Sequence, residues 1–254
     1  MKGISILIPV FNEERIIAKN VKGLVEFLDK LSIPYEILLC DNGSTDRTPF
    51  LGRKLESQFP EKVKFFSIPQ KRSVGSAFKE MVKRASFDKL ISVDMDLSFD
   101  FKSFIPKCVR LLDSNSMVIG TKISRQKRPL HRKIMSKTFI FLTRLLLGLN
   151  YSDYSIGAKG YRKSEIMKFI DFLDEKSFYV IELVFFLKRT NHKIVEIPIE
   201  VKDVRRSRFN IPYDAMYRGI KLLNLWLREK VMKHRRRIPA RVANFPRKSM
   251  KVSP

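Results

Sequence analysis

The sequence predicts an α/β fold with a mostly parallel central sheet, helices on both faces and a C-terminal amphipathic helix. Two observations carry that reading: short apolar runs alternate with segments of helical periodicity, and several of those runs end in polar or acidic residues. Ile4-Ser5-Ile6-Leu7-Ile8-Pro9-Val10 reads as a buried strand. Asn12 is positioned to cap a following helix in which Ile16, Ile17, Val21, Leu24, Val25 and Leu28 recur at helical spacing. A strand from Glu36 to Cys40, a helix from about Thr45 to Gln58, a strand from Val63 to Ser67, a helix from about Val74 to Ala85 and a strand from Leu90 to Val93 repeat the alternation. Another strand ends at Gly120-Thr121-Lys122, and a basic stretch from Arg125 to Lys137 leads into an apolar helix. A helix around Glu182 precedes a last strand, Ile194 to Ile199. From Tyr213, residues Met216, Tyr217, Ile220, Leu223, Leu227 and Val231 form an apolar stripe at spacings of three and four.

Composition narrows the partners. The 254 residues, 44% of them apolar, suffice for one large domain, and 51 Lys and Arg against 26 Asp and Glu give a net charge of +25. Such a balance favours an anionic partner: nucleic acid, an acidic membrane surface or phosphorylated small molecules. Cys40 and Cys108, with His131, His192 and His234 scattered, support neither a disulfide framework nor a zinc cluster. Met1-Lys2-Gly3 leads directly into a strand without the apolar stretch of a signal peptide, so the chain is expected to stay in the cytosol. No window reaches the roughly 18 apolar residues of a spanning helix.

The acids at the strand ends carry the chemistry. Asp94 and Asp96 follow Leu90-Ile91-Ser92-Val93, and Asp41 closes Glu36-Ile37-Leu38-Leu39-Cys40 ahead of Asn42-Gly43-Ser44-Thr45-Asp46. Ligands of parallel sheets collect at the carboxyl ends of strands, where Pro9, Asp41 and Asp94 all fall. Acids one residue apart at a strand end turn toward one crevice and suit Mg²⁺ or Mn²⁺, ions that reach such sites carrying phosphates. Each motif alone has a structural reading as a helix cap or an Asx turn. Their joint occurrence favours function.

Ile8-Pro9-Val10-Phe11-Asn12-Glu13, Cys40-Asp41-Asn42-Gly43-Ser44-Thr45-Asp46-Arg47-Thr48 and Asp94-Met95-Asp96-Leu97-Ser98 resemble the motifs of inverting glycosyltransferases of GT-A fold, in particular the dolichyl-phosphate mannose synthase group. The likeness continues through Gly120-Thr121-Lys122, Arg132 to Ser136, Asp153 to Gly157 and Glu196-Ile197-Pro198-Ile199, and covers about residues 3–210. It implies that Pro9, Val10, Asn12, Glu13, Asp41, Gly43 and Ser44 line the nucleotide pocket. Asp94 faces the ribose and the metal, and Asp96 holds the metal on the diphosphate. Ser98 stands where some members have a Gln ligand. Lys122, Arg132 and Ser136 match positions that grip an acceptor phosphate, with Lys122 replacing a commoner Arg. The cluster Arg205-Arg206-Ser207-Arg208 resembles the loop that closes over both phosphates. Asp94, Asp96 and Arg205 are thus the expected catalytic residues, with Arg206 on the acceptor phosphate.

The implied reaction moves a hexose from a nucleotide diphosphate sugar to dolichyl or another polyprenyl phosphate, with inversion and with Mg²⁺ or Mn²⁺. Mannose from GDP-mannose is the first expectation and glucose from UDP-glucose its competitor. A phosphate acceptor is largely dianionic at neutral pH and needs no side-chain base, which suits a chain without a histidine near its acidic strand-end motifs.

Ile134 to Leu149 and Tyr213 to Val231 are apolar on one side and edged by Lys or Arg, the pattern of helices lying on a membrane. The expected units are residues 1–210 as the glycosyltransferase domain, 211–238 as a membrane-surface helix and 239–254 as a basic flexible tail. The expected location is peripheral, on the cytoplasmic face of the cell or endoplasmic reticulum membrane, by these helices alone or with a separate transmembrane subunit. A nucleic-acid binder would explain the charge but not three acids converging on one edge, so no specific nucleic acid is expected. An aspartyl phosphatase would carry its acid pair after the first strand.

Overall fold

The computed structural model describes residues 3–68, 73–123, 130–201 and 211–231. Its strands are β1 (Ile4–Val10), β2 (Tyr35–Asp41), β3 (Val63–Ser67), β4 (Lys89–Ser92), β5 (Met117–Lys122), β6 (Lys159–Arg162) and β7 (Ile194–Ile199). Among the described residues they form one sheet in the order β3-β2-β1-β4-β6-β5-β7. The first four are parallel, as alternation with helices requires, and β7 is parallel to β5. β6 runs antiparallel to both β4 and β5.

Continuous apolar strands need cover on both faces, and this sheet has it. Ile4, Ile6, Ile8 and Val10 point to one core and Leu7 to the other, following the two-residue period of a strand. The first core is closed by α1 (Ile17–Asp29), α2 (Thr48–Gln58) and α4 (Phe101–Leu111) through Val21, Leu24, Leu55, Phe104 and Ile105. The second is closed by α3 (Val74–Arg84), α5 (Leu130–Leu147), α7 (Tyr179–Arg189) and α8 (Ile211–Trp226) through Phe78, Met81, Leu147, Phe185 and Leu222. The short α6 (Lys163–Ile166) continues into a 3₁₀ turn, and α8 ends in a π turn, Leu227–Val231. Among the described residues no helix is long and apolar enough to cross a membrane.

Three expectations change. Asn12 does not cap α1: the helix starts at Ile17, five residues on, and the Asn12 side chain bonds a different loop. α2 starts at Thr48 rather than near Thr45, because Asp46 Oδ1 accepts the Thr48 N–H at 2.9 Å and Pro49 sits in the first turn. Strand β6 is absent from the sequence reading. Lys159-Gly160-Tyr161-Arg162 has no apolar run, and Gly160 is there because a Cβ would lie 2.1 Å from Cys108 Sγ.

One polar group is built into the sheet. Glu36 is buried, accepting Ser5 Oγ at 2.7 Å and Lys64 Nζ at 2.6 Å, and also the Ser86 N–H. Burial pushes its carboxyl up, but Lys64, Ser5 and Ser86 outweigh this and hold it below the usual value. A depressed carboxylate contributes stability that is present above its unfolded value, about pH 4.3, and is lost as pH falls through the folded one. Glu36→Gln should therefore lower stability at pH 7 by roughly 1–3 kcal/mol and by less near pH 3, measured by urea denaturation at both pH values.

Candidate active site

The site forms where β1, β2 and β4 end side by side. Val10 is in register with Asp41, and the Val93 N–H donates to the Leu7 carbonyl at 3.0 Å, so the chain after β4 leaves the sheet next to β1. Two loops are laced together there. Asn12, at φ 54°, donates its N–H to Ser44 Oγ at 2.8 Å, and its Oδ1 accepts the Thr45 N–H at 2.8 Å. The Glu13 N–H donates to Thr48 Oγ1 at 2.7 Å. Gly43, at φ 83°, turns the second loop in a conformation that favours glycine. Asp41 is buried and accepts the Ser44 N–H at 3.2 Å, while Asn42 Oδ1 accepts the Ser73 N–H at 2.7 Å at the start of α3. Val10, Asn12, Glu13, Asp41, Gly43 and Ser44, expected to line one pocket, thus belong to one hydrogen-bonded edge.

Met95 anchors the turn that carries Asp94 and Asp96, whose charges act on one another. Met95 is buried in the first core and its carbonyl accepts Asn20 Nδ2 from α1 at 2.8 Å. Leu97, at φ 48°, tightens the turn, and Asp96 Oδ1 accepts the Ser98 N–H at 3.1 Å. Asp94 Oδ2 accepts the Gly157 N–H at 3.2 Å, and a Cβ at 157 would meet that carboxylate at 2.3 Å. Burial pushes the Asp94 carboxyl above its usual value and the charge of Asp96 adds to this; Lys159, the Gly157 N–H and Lys122 oppose them. A divalent cation fits this pair: it would relieve the repulsion, and phosphate oxygens suit its remaining positions. Among the described residues no three His, Cys, Asp or Glu side chains are grouped to hold a metal, so Asp41 does not join the pair as a third ligand.

A basic floor lies behind the aspartates. Lys122, at the end of β5, is 3.7 Å from Asp153 Oδ2. Burial would raise Asp153, but Lys122, Ser155 and Lys159 hold its carboxyl below the usual range. Lys159 on β6 is buried, donates to the Ile156 carbonyl, and is lowered to about 8 by that burial despite Asp153 and Asp94. The sequence reading placed the Asp153 to Lys159 segment beside the sugar and lipid, with Lys159 replacing a commoner aromatic, but tied neither Lys159 nor the Gly157 amide to Asp94. Ser136 is exposed on α5. Arg205 and Arg206 lie outside the described residues, as does the side chain of Arg132.

A family model described as glycosyl transferase family 2 matches residues 5–169, a stretch that contains every strand end just described. The chain belongs to glycosyl transferase family 2. Among its relatives, undecaprenyl-phosphate 4-deoxy-4-formamido-L-arabinose transferase of Pectobacterium atrosepticum is 29% identical over 227 residues, which are 89% of this chain and 65% of that protein. Glycosyltransferase AglD of Haloferax volcanii is 22% identical over 88% of this chain and 37% of its own. The chain thus spans under two thirds of the length of these relatives. Crystal structures of Mycobacterium tuberculosis glucosyl-3-phosphoglycerate synthase share the fold. The complex with UDP has a TM-score of 0.67 at 17% identity, over 89% of this chain and 80% of that one. The complex with Mn²⁺ and UDP-glucose has a TM-score of 0.66 at 16% identity, over 89% and 79%. The mostly parallel seven-stranded sheet is the GT-A architecture expected from the motifs.

If the Gly157 amide holds Asp94 for a cation, Gly157→Ala should weaken Mn²⁺ binding roughly 10–100-fold in the presence of UDP or GDP, read by titration calorimetry. The melting temperature should change little, because the added methyl meets a carboxylate rather than backbone.

Proposed function

We propose that this chain transfers a sugar from a nucleoside diphosphate sugar to a polyprenyl phosphate, with inversion. The observation that carries this reading is the Asp94–Asp96 pair, whose charges act on one another just past the carboxyl end of β4, next to the laced loops that hold Asp41 and Gly43. Relatives whose names specify undecaprenyl phosphate support the acceptor class. In one displacement an acceptor phosphate oxygen attacks the sugar C1 opposite the diphosphate. The new C1–O bond forms as the old one breaks, and the nucleoside diphosphate departs. Asp94 and Asp96 would hold Mg²⁺ or Mn²⁺, whose chemistry is to neutralise the charge on the leaving diphosphate. Lys122 and Lys159 offset negative charge on the opposite side of Asp94 and Asp153. The dianionic acceptor supplies its own nucleophile.

The donor is read as a nucleotide hexose, with GDP-mannose and UDP-glucose as the two leading candidates. The solved neighbour with UDP-glucose favours testing UDP-linked donors alongside GDP-mannose, and the relatives named for a formamido-arabinose favour adding a pentose donor. Labelled GDP- and UDP-sugars incubated with Mn²⁺ and dolichyl or undecaprenyl phosphate should yield lipid-extractable label. Asp96→Asn should lose at least about two orders of magnitude of that activity. Absence of label with every donor, or full activity in the variant, contradicts the reading.

We assign the acceptor side to a membrane surface, peripherally and at the cytoplasmic face. Helices α5 and α8 pack together and leave Phe141, Leu142, Leu145, Met216, Ile220 and Leu223 uncovered. The +25 charge suits anionic lipid. The protein should sediment with anionic liposomes at low salt and be released at high salt, and Leu145→Glu with Leu223→Glu should weaken sedimentation at low salt.

A further inference from the structure

We propose that Arg218, on the inner side of α8, is a binding residue for the acceptor phosphate. The inference rests on the transfer reading above and adds a residue that no motif contains.

Helix α8 is fastened to the segment after the 3₁₀ turn. Tyr217 donates its hydroxyl to Asp174, Lys221 Nζ pairs with Asp174 Oδ1 at 2.9 Å, and Lys176 Nζ donates to Tyr213 at 3.2 Å. Arg218 stands between these contacts. Its Nε donates to Ser177 Oγ at 3.1 Å, and among the described residues no carboxylate lies within ion-pair distance of it. The guanidinium is nevertheless partly buried, and burial lowers its proton affinity against the pull of Asp214, Asp153, Tyr179 and Asp174. Two of those acids are already engaged: Asp174 with Lys221 and Tyr217, Asp153 with Lys122 and Ser155. A partly buried guanidinium with five N–H donors whose hydrogen-bond partner among the described residues is one neutral hydroxyl calls for an anion.

The position fits an anion that reacts at Asp94. Its partner Ser177 lies two residues past Glu175, whose carbonyl accepts Ser73 Oγ at 2.6 Å, and the Ser73 N–H donates to Asn42 Oδ1 at 2.7 Å beside Asp41, which ties Arg218 to the edge that holds the site; the charge of Arg218 also acts on Lys159 and Tyr179, as does that of Asp94. Holding an acceptor phosphate beside a donor diphosphate requires cations between them, and a planar fork grips phosphate in two places where Lys122 offers a point charge. The same helix leaves Met216, Ile220 and Leu223 uncovered, so one element carries both an apolar surface for a prenyl chain and a cation for its phosphate.

The phosphate could come from either substrate, and the test separates them. With full-length protein, Arg218→Gln should raise KM for farnesyl phosphate about tenfold or more while KM for the nucleotide sugar stays within about twofold. Arg218→Lys should show a smaller rise in the same KM alone, and it carries the test if the Gln variant is unstable. Calorimetric binding of farnesyl phosphate, lost in the variant, tests the inference apart from turnover. If no wild-type transfer occurs, the functional reading falls while this binding result still decides Arg218. An unchanged acceptor KM, or an equal rise in both KM values, overturns the proposal.

Discussion

Two carboxylates close enough to repel one another, in the turn that follows β4, are the constraint around which the site is organised. Met95 between them anchors that turn by burying its side chain among core residues and giving its carbonyl to Asn20. The Gly157 amide then fixes Asp94 from the opposite side, at a distance that only a residue without a Cβ allows. Burial and the charge of Asp96 both push the Asp94 carboxyl above its usual value, and a cation held there would relieve that cost.

The remaining parts of the edge serve position rather than charge. Asn12, Ser44, Thr45, Glu13 and Thr48 exchange hydrogen bonds between the loops after β1 and β2, so the two strand ends present a single surface. Asn42 extends the lacing to α3, whose Ser76 N–H donates to the Glu175 carbonyl at 2.9 Å. Since Asp174 next to Glu175 binds Tyr217 and Lys221, a continuous set of hydrogen bonds runs from the edge of β2 to α8. Helix α8 is therefore part of the packed body, although its outer residues are apolar and uncovered.

Burial and charge work together at the basic floor. Lys159 lies in the sheet under Asp94, where an unpaired ammonium would be costly, and Asp153 and Asp94 supply the compensating field. The acids above and the lysines below keep the interior near balance. On the proposed function, a ligand bearing several phosphates would shift that balance and meet Lys122 as well as Asp94 and Asp96.

The sequence by itself determined the parallel half of the sheet, its helices and the acidic strand ends. Apolar runs such as Ile4–Val10 and Glu36–Cys40 are long enough to declare their burial, and hydrogen bonding within a strand–helix unit is local. It also marked Asp94 and Asp96 as a pair, since a two-residue spacing needs no distant partner. It misplaced Asn12 as a helix cap, because only the folded chain brings Ser44 and Thr45 beside it. It could not find β6, whose Gly160 answers to Cys108 fifty-two residues earlier and whose Lys159 answers to Asp94. The position of Arg218, 124 residues after Asp94, likewise belongs to tertiary packing alone. Contacts across such separations follow from how helices close over the sheet, a global arrangement of which no local pattern of residues holds a record.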